Sequence, residues 1–249
     1  MKVLFIGGTG LISSACSRLA IERGIDLTIL NRGQSHKYDI PAGAKFVSGD
    51  IHGDPASIHA LLGHQHFDAV VDWVAFTPAQ IEADIELFNG ATRQYVFISS
   101  ASVYQKPPNH YLITEDTPLA NPHWAYSQNK IACEERLMQE YRRTGFPITI
   151  VRPSLTYGPS QIPMIMGSWQ HPWTLVERML QGKPVIVPGD GTSLWPLTWN
   201  GDLAKGLIGL LGREQTIGHA FHITSDEVLN WNQIYIELAH ALGVEPHLV

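Results

Sequence analysis

Tyr126 and Lys130 stand four residues apart in a stretch, Trp124 to Arg143, that reads as one long helix, so the two side chains share a face. An ammonium there can approach a phenol. With a reference pKa of about 10, a phenol is a poor base at neutral pH, and a neighbouring cation that favours phenolate moves it toward the working range. The chemistry on offer is proton exchange with a substrate hydroxyl. Tyr-x-x-x-Lys also arises by chance as a surface pair. Ser99-Ser100 gives it weight here, because these serines follow an apolar strand and fall at the carboxyl edge, where open α/β sheets bind ligands.

A second constellation sits at the start of the chain. Gly7-x-x-Gly10 lies where a short apolar run, Val3 to Ile6, hands over to a helical segment, Leu11 to Arg23. Bare backbone N–H groups and a helix N-terminus can there meet a pyrophosphate with no Cβ in the way. Ser13 occupies the place where a third glycine would ease close packing of helix on strand. At the end of the next strand, where an acidic residue would bind the adenosine ribose of NAD, the chain has Asn31-Arg32-Gly33. With no carboxylate to repel a 2′-phosphate, NADP is favoured over NAD, with Arg32 either pairing that phosphate or lying solvated in a turn. Asp50, after the third strand, either reaches the adenine edge or caps a turn.

These groups need a scaffold, and the apolar runs supply it. Strands are expected at Val3–Ile6, Leu27–Leu30, Lys45–Val47, Ala69–Val74, Tyr95–Ile98 and Ile148–Val151, with helices over 11–23, 55–62 and 124–143. Runs apolar throughout imply strands covered on both faces, so the rhythm predicts an α/β fold with a doubly wound parallel (Rossmann) sheet. Residues 1–156 form the dinucleotide-binding domain with the catalytic helix. Glycine, proline and tryptophan then become frequent, and 157–249 read as a partial substrate lobe. That lobe has a short strand over Pro184–Gly189, helices over 202–211 and 230–242, and residues 217–226 returning a strand to the main sheet.

Composition narrows the classes. A chain of 249 residues that is 44% hydrophobic can bury a large core. A net charge of −6 leaves no basic excess for a phosphate backbone, which disfavours a nucleic-acid partner and favours a small-molecule substrate. No apolar run approaches the ~20 residues of a membrane span, and Met1 to Ile6 is too short for a secretory signal, so a soluble cytoplasmic protein is expected. Cys16 and Cys133 read as buried thiols. His64-x-His66 lacks a carboxylate at helpful spacing, and no metal site is expected. Trp169, Trp173, Trp195 and Trp199 are core residues or pocket lining, and His123 is a loop residue or a substrate contact.

Gly7-Gly8-Thr9-Gly10, Ser99 to Tyr104, Tyr126-Ser127-Gln128-Asn129-Lys130, Arg152-Pro153, Tyr157-Gly158-Pro159 and Pro188-Gly189-Asp190-Gly191 together resemble the NAD-dependent epimerase/dehydratase family, the extended short-chain dehydrogenases. By position the resemblance implies that Ser100 orients the substrate oxygen, Tyr126 is the acid/base, and Lys130 grips the nicotinamide ribose. It places Gly7, Gly10, Leu11, Ile12, Asn31, Arg32, Asp50, Ile51, Ala75, Lys130 and Pro153 around the dinucleotide. The implied activity is that of an NAD(P)-dependent oxidoreductase or epimerase, acting by hydride transfer at a carbinol carbon.

Three departures bear on the substrate. Leu155 stands where nucleotide-sugar enzymes of the family carry Asn, and Ala101-Ser102 where the dehydratases carry Asp-Glu, which weakens a nucleotide-sugar reading and disfavours dehydration. The chain also stops at Val249, where such enzymes run on, implying a reduced lobe or a fragment. A homodimer through paired helices is common in the family. A different class stays open: the same fold used for cofactor sensing or RNA binding, as in atypical members.

Overall fold

The computed structural model describes residues 1–35, 37–63, 65–163 and 170–249, so His64 and Trp169, singled out above, lie outside the described residues. Along β1 (Lys2–Ile6) the pleat sends Val3 and Phe5 to one face and Leu4 and Ile6 to the other, and all four are buried. A strand apolar on both faces needs cover on both. α1 (Leu11–Glu22) supplies Ala15, Cys16 and Ala20 to the Val3/Phe5 side. β2 (Asp26–Asn31), β3 (Lys45–Ser48), β4 (Ala69–Asp72), β5 (Tyr95–Ile98) and β6 (Ile148–Pro153) follow, interleaved with α2 (Pro55–Leu62), α3 (Pro78–Phe88) and α4 (Ala125–Thr144). These three helices cover the Leu4/Ile6 face through Ile58, Leu62, Ile81, Ile85, Phe88, Cys133 and Leu137.

The chain divides into two compact units. Met1–Ser154 with Gly201–Ile223 make the first, and within the second Leu155–Asn200 join Thr224–Val249. The first holds a parallel sheet of seven strands in the order β3-β2-β1-β4-β5-β6-β9, with β9 at His219–Ile223. That is the doubly wound arrangement expected, and the strand order reverses between β1 and β4. The segment returning to this unit is longer than 217–226, beginning at Gly201 and including most of α6 (Asn200–Leu210), whose Leu203, Ala204 and Leu207 complete the α1 side of the core.

The second unit has β7 (Leu155–Tyr157), α5 (Thr174–Leu180), β8 (Leu194–Trp199), β10 (Val228–Asn230) and α7 (Trp231–Leu242). Its sheet runs β10-β8-β7, with β7 and β8 parallel and β10 antiparallel to β8. Leu175, Met179, Val185, Val187, Trp231, Ile234 and Tyr235 fill its core.

Several elements differ from the sequence reading. Pro184–Gly189 is not a strand: a single bridge joins Val185 to Leu248, and the flanking prolines have no N–H for a ladder. The fourth strand ends at Asp72 rather than Val74, because the Asp72 Oδ1 accepts the N–H groups of Val74 (2.7 Å) and Ala75 (3.0 Å) and turns the chain out of the sheet. The sequence reading has no helix at α3. Its signal is a capping box in which Thr77 N–H donates to Gln80 Oε1 (3.0 Å) and Gln80 N–H to Thr77 Oγ1 (3.5 Å), with Pro78 in the first turn.

Candidate active site

The glycine turn joins β1 to α1 at the sheet's carboxyl edge. Gly7 and Gly8 have φ of +111° and +92°, a region that L side chains rarely adopt. Space closes these positions as well: a Cβ on Gly8 would lie 3.0 Å from Ile29 Cγ2, and one on Gly7 would lie 3.0 Å from Trp73 Cβ. Gly8→Ala is therefore expected to lower stability by about 1–3 kcal/mol in urea unfolding, and an unchanged midpoint would contradict the strain argument.

The turn's carbonyls and hydroxyls are pinned from outside. Ser17 Oγ donates to Gly8 O (2.9 Å), and Asn31 Nδ2 donates to Gly7 O (3.2 Å) and Thr9 Oγ1 (3.3 Å). Asn31 thus positions the turn, and its Oδ1 takes the Gly33 N–H (2.7 Å). Gly10 N–H donates to Ser13 Oγ (2.8 Å), so the residue at the third-glycine position is a buried serine that holds the turn. Leu11 and Ile12 open α1, which has no side-chain cap, whereas Asp54, Thr77 and Asn230 cap α2, α3 and α7. Arg32 and Asp50 are exposed at the ends of β2 and β3, with the Asp50 carboxylate accepting the His52 N–H (3.1 Å), and Ile51 is buried in the core behind them.

Next to the turn lies the loop after β4, where Trp73 N–H donates to Ile6 O (3.1 Å). Ala75 is fully enclosed, and its carbonyl accepts a hydrogen bond from Lys130 Nζ at 2.7 Å. The ammonium also donates to Ile98 O (2.8 Å) and lies 4.6 Å from the ring centroids of Phe76 and Phe97. Lys130 is 1% exposed, and this burial brings its pKa down to about 8.

The ring centroid of Tyr126, one turn earlier on α4, lies 5.9 Å from Lys130 Nζ, whose hydrogen bonds go to the two carbonyls. The phenol pKa is raised rather than lowered, and Lys130 is not among the causes of the shift. Burial pushes the Tyr126 phenol above its ordinary value, and a hydrogen bond with Ser100 works against that rise. Ser100 caps the short turn Ala101–Val103, its Oγ accepting the Ser102 N–H (3.1 Å). The structure therefore brings Ser100, Tyr126 and Lys130 together beyond β5, beside Ala75 and the glycine turn. Pro153 is buried at the end of β6.

Sequence reasoning missed the aromatic surround. Trp124 and Phe76, 55% and 44% exposed, lie with ring centroids 4.7 and 6.3 Å from that of Tyr126. It also missed Asn121, whose Nδ2 donates to Ser102 O (2.8 Å) and Ser127 Oγ (3.3 Å) and so ties the serine turn to α4. His123 is exposed in the loop before α4, its N–H donating to Asn121 Oδ1 (3.2 Å). In the second unit Trp195 packs on Trp231 (centroids 5.4 Å apart), Trp199 lies edge-on to Tyr157 (5.3 Å), and Trp173 is exposed.

A strand order that reverses beside a glycine turn defines a Rossmann-type, doubly wound α/β fold. Within that class the chain belongs to the NAD dependent epimerase/dehydratase family, whose model matches residues 3–224. It is 27% identical over 260 residues to the chloroplast stem-loop binding protein of 41 kDa b of Arabidopsis thaliana, covering 100% of this chain and 65% of that protein. To a UDP-glucose 4-epimerase of Lactobacillus helveticus it is 29% identical over 209 residues, covering 77% and 62%. The chain thus spans less than two thirds of the length of both relatives. Its fold matches the Thermus thermophilus UDP-glucose 4-epimerase solved with NAD, with a TM-score of 0.77, 22% identity, and coverage of 100% of this chain and 85% of that one. Among the described residues no helix is long and apolar enough to cross a membrane.

Proposed function

We propose that this chain holds a nicotinamide dinucleotide over the turn from Gly7 to Ile12 and acts on a carbinol carbon of a small-molecule substrate, with Tyr126 exchanging the hydroxyl proton. The supporting observation is the contiguity of the glycine turn, the Ala75 loop, Lys130, Tyr126 and Ser100 along one edge of one sheet. The residues present fit such a ligand. α1 lacks a side-chain cap where an anion would sit, and in the same region the buried Ser99 Oγ and Trp73 Nε1 have no hydrogen-bond partner. Bound there, the nicotinamide supplies and takes back hydride. Ser100 orients the substrate oxygen. Tyr126, neutral at pH 7 as phenols are and made less acidic still by burial, gives its proton to a carbonyl oxygen in one direction and recovers it from a hydroxyl in the other. An ammonium has three donors, and with two fixed on carbonyls Lys130 keeps one to offer a ribose hydroxyl.

The substrate class proposed is a sugar or nucleotide sugar, supported by the name of the Lactobacillus relative and by two half-exposed aromatic faces suited to the C–H side of a pyranose. Incubating the purified protein with each dinucleotide and a panel of UDP-hexoses tests this. Reduced cofactor or an interconverted sugar is the expected result, and no turnover with any member overturns the assignment.

We further propose NADP as the preferred cofactor. No carboxylate stands among residues 31–33, and Arg32 is exposed beside them. Arg32→Ala is expected to weaken NADPH binding about tenfold while leaving NADH binding unchanged, measured by fluorescence titration. Equal losses for both, or wild-type binding of NADH alone, contradict the preference.

A second reading, RNA binding, is favoured by similarity along the whole of this chain to a stem-loop binding protein, of which it spans 65%. The net charge of −6 weighs against it. Salt-sensitive retention of stem-loop RNA by the purified protein would establish it over the enzymatic reading.

A further inference from the structure

Behind Lys130 lies a polar cluster that the proposed chemistry does not use. Asp72 at the end of β4, Asp84 on α3 and Tyr95 on β5 are each no more than 1% exposed, inside a core of Val70, Ile81, Phe88, Phe97 and Phe146. The Tyr95 hydroxyl sits 2.9 Å from Asp72 Oδ2 and 2.7 Å from Asp84 Oδ2. One hydroxyl has one proton to give. It therefore donates to one carboxyl group and accepts from the other, and the accepting bond requires a protonated carboxylic acid. Two carboxylates facing each other across one phenol in a dry core also repel, which a shared proton relieves.

The surroundings assign the roles. Asp72 Oδ1 already accepts two backbone donors, the N–H groups of Val74 (2.7 Å) and Ala75 (3.0 Å), so Asp72 meets donors on both oxygens, as a carboxylate does. Asp84 bonds to Tyr95 and also lies close enough to Asp72 for the two carboxyl groups to interact directly. The chain runs from Asp84 O–H to Tyr95 Oη, and from Tyr95 O–H to the Asp72 carboxylate. The loop that Asp72 clamps carries the Ala75 carbonyl holding Lys130.

We propose that Asp72 and Asp84 hold one proton between them through Tyr95, leaving a single buried carboxylate at Asp72 that serves as positioning residue and counter-charge for the Lys130 ammonium. The titratable and charged groups facing this cluster agree. From α4 come Lys130, Cys133, a thiol held neutral by a pKa pushed up to about 11, and Glu134, whose charge is taken by Arg152 at 2.6 Å. From α3 comes Asp84, whose carboxyl is pushed well above its ordinary range by burial and by Asp72. From β5 comes Tyr95, whose phenol is pushed up in the same way. Among these groups Lys130 is the cation, its Nζ held by the carbonyl of the loop that Asp72 clamps, and the Asp72 charge favours the ammonium against the effect of burial. The inference deepens the reading of Lys130 as part of the site. Its test uses neither cofactor nor substrate, so it can fail while the enzymatic assignment stands, and the reverse.

The experiment is carbon-13 NMR on the intact protein labelled at aspartate carboxyl carbons and lysine Cε. In the wild type the Asp84 carboxyl is expected to keep the chemical shift of a protonated acid at pH 7, and Lys130 to titrate at about 8. Asp84→Asn replaces one neutral donor by another and is expected to leave the Lys130 midpoint in place. Asp72→Asn removes the counter-charge and is expected to move it below 7. The amide oxygen of the substituted asparagine can still accept the Val74 and Ala75 N–H groups, so a role confined to clamping that loop would not move the midpoint. If Asp72→Asn fails to fold, the wild-type carboxyl spectrum and Asp84→Asn still decide: an ionised Asp84 at pH 7, or a Lys130 midpoint that falls in Asp84→Asn, overturns the proposal, as does an unchanged midpoint in a folded Asp72→Asn.

Discussion

Tyr126→Phe is expected to lower kcat/KM by about 10³-fold, or about 4 kcal/mol of transition-state stabilisation, while dinucleotide affinity stays within about twofold. The phenylalanine ring keeps the packing against Trp124 and Phe76, so the variant removes one hydroxyl and little else. The size of the effect follows from the local electrostatics. Burial raises the phenol pKa, Lys130 is held by the carbonyls of Ala75 and Ile98, and Ser100 alone among the causes of the shift works toward phenolate. Proton transfer thus depends on the alignment of Ser100 Oγ, the phenol and the substrate oxygen. Steady-state kinetics with a turned-over UDP-hexose, alongside a cofactor titration, measures both quantities. Unchanged turnover would remove Tyr126 from the reaction.

The largest expected loss of stability comes from Glu134→Ala. Arg152 Nη2 lies 2.6 Å from Glu134 Oε2, its Nε is 3.1 and 3.2 Å from the two carboxylate oxygens, and the two side chains are 6% and 2% exposed. Its remaining donors reach Glu115 O (3.1 Å) and Tyr104 Oη (3.4 Å). Removing the carboxylate strands a guanidinium in the core, at a cost of about 3–5 kcal/mol. The pair itself contributes less than that figure, because its charges were desolvated to make it. Pairing Glu134→Leu with Arg152→Met is therefore expected to recover most of the loss in urea unfolding. A single-variant loss under about 1 kcal/mol would show that water reaches Arg152 in solution.

Much of this architecture is legible in short apolar runs. Val3–Ile6, Tyr95–Ile98 and Ile148–Val151 read as strands covered on both sides, and their alternation with helices through right-handed crossovers predicts a doubly wound sheet of the kind observed. The second unit was opaque for a physical reason. β7 and β10 are three residues each, too short for periodicity to register, and the prolines around Val185–Val187 mimic strand punctuation while preventing the ladder. At the candidate site residue type and spacing single out Ser100, Tyr126 and Lys130 as candidates, but not their geometry: an i, i+4 spacing says that two side chains share a face, and says nothing of the two carbonyls that compete for the ammonium. Asp72 within Ala69–Val74 and Asp84 among the apolar residues of α3 were signals passed over, since a carboxylate in a buried run demands a partner.

A crystal structure of the protein grown with NADPH, with NADH in a parallel crystal, decides whether a dinucleotide sits between the glycine turn and Tyr126. The pyrophosphate is expected at the turn from Gly7 to Ile12, and the nicotinamide ring beside Tyr126 with its ribose reached by Lys130. A dinucleotide seated elsewhere, or Tyr126 turned away from the ring, would contradict it.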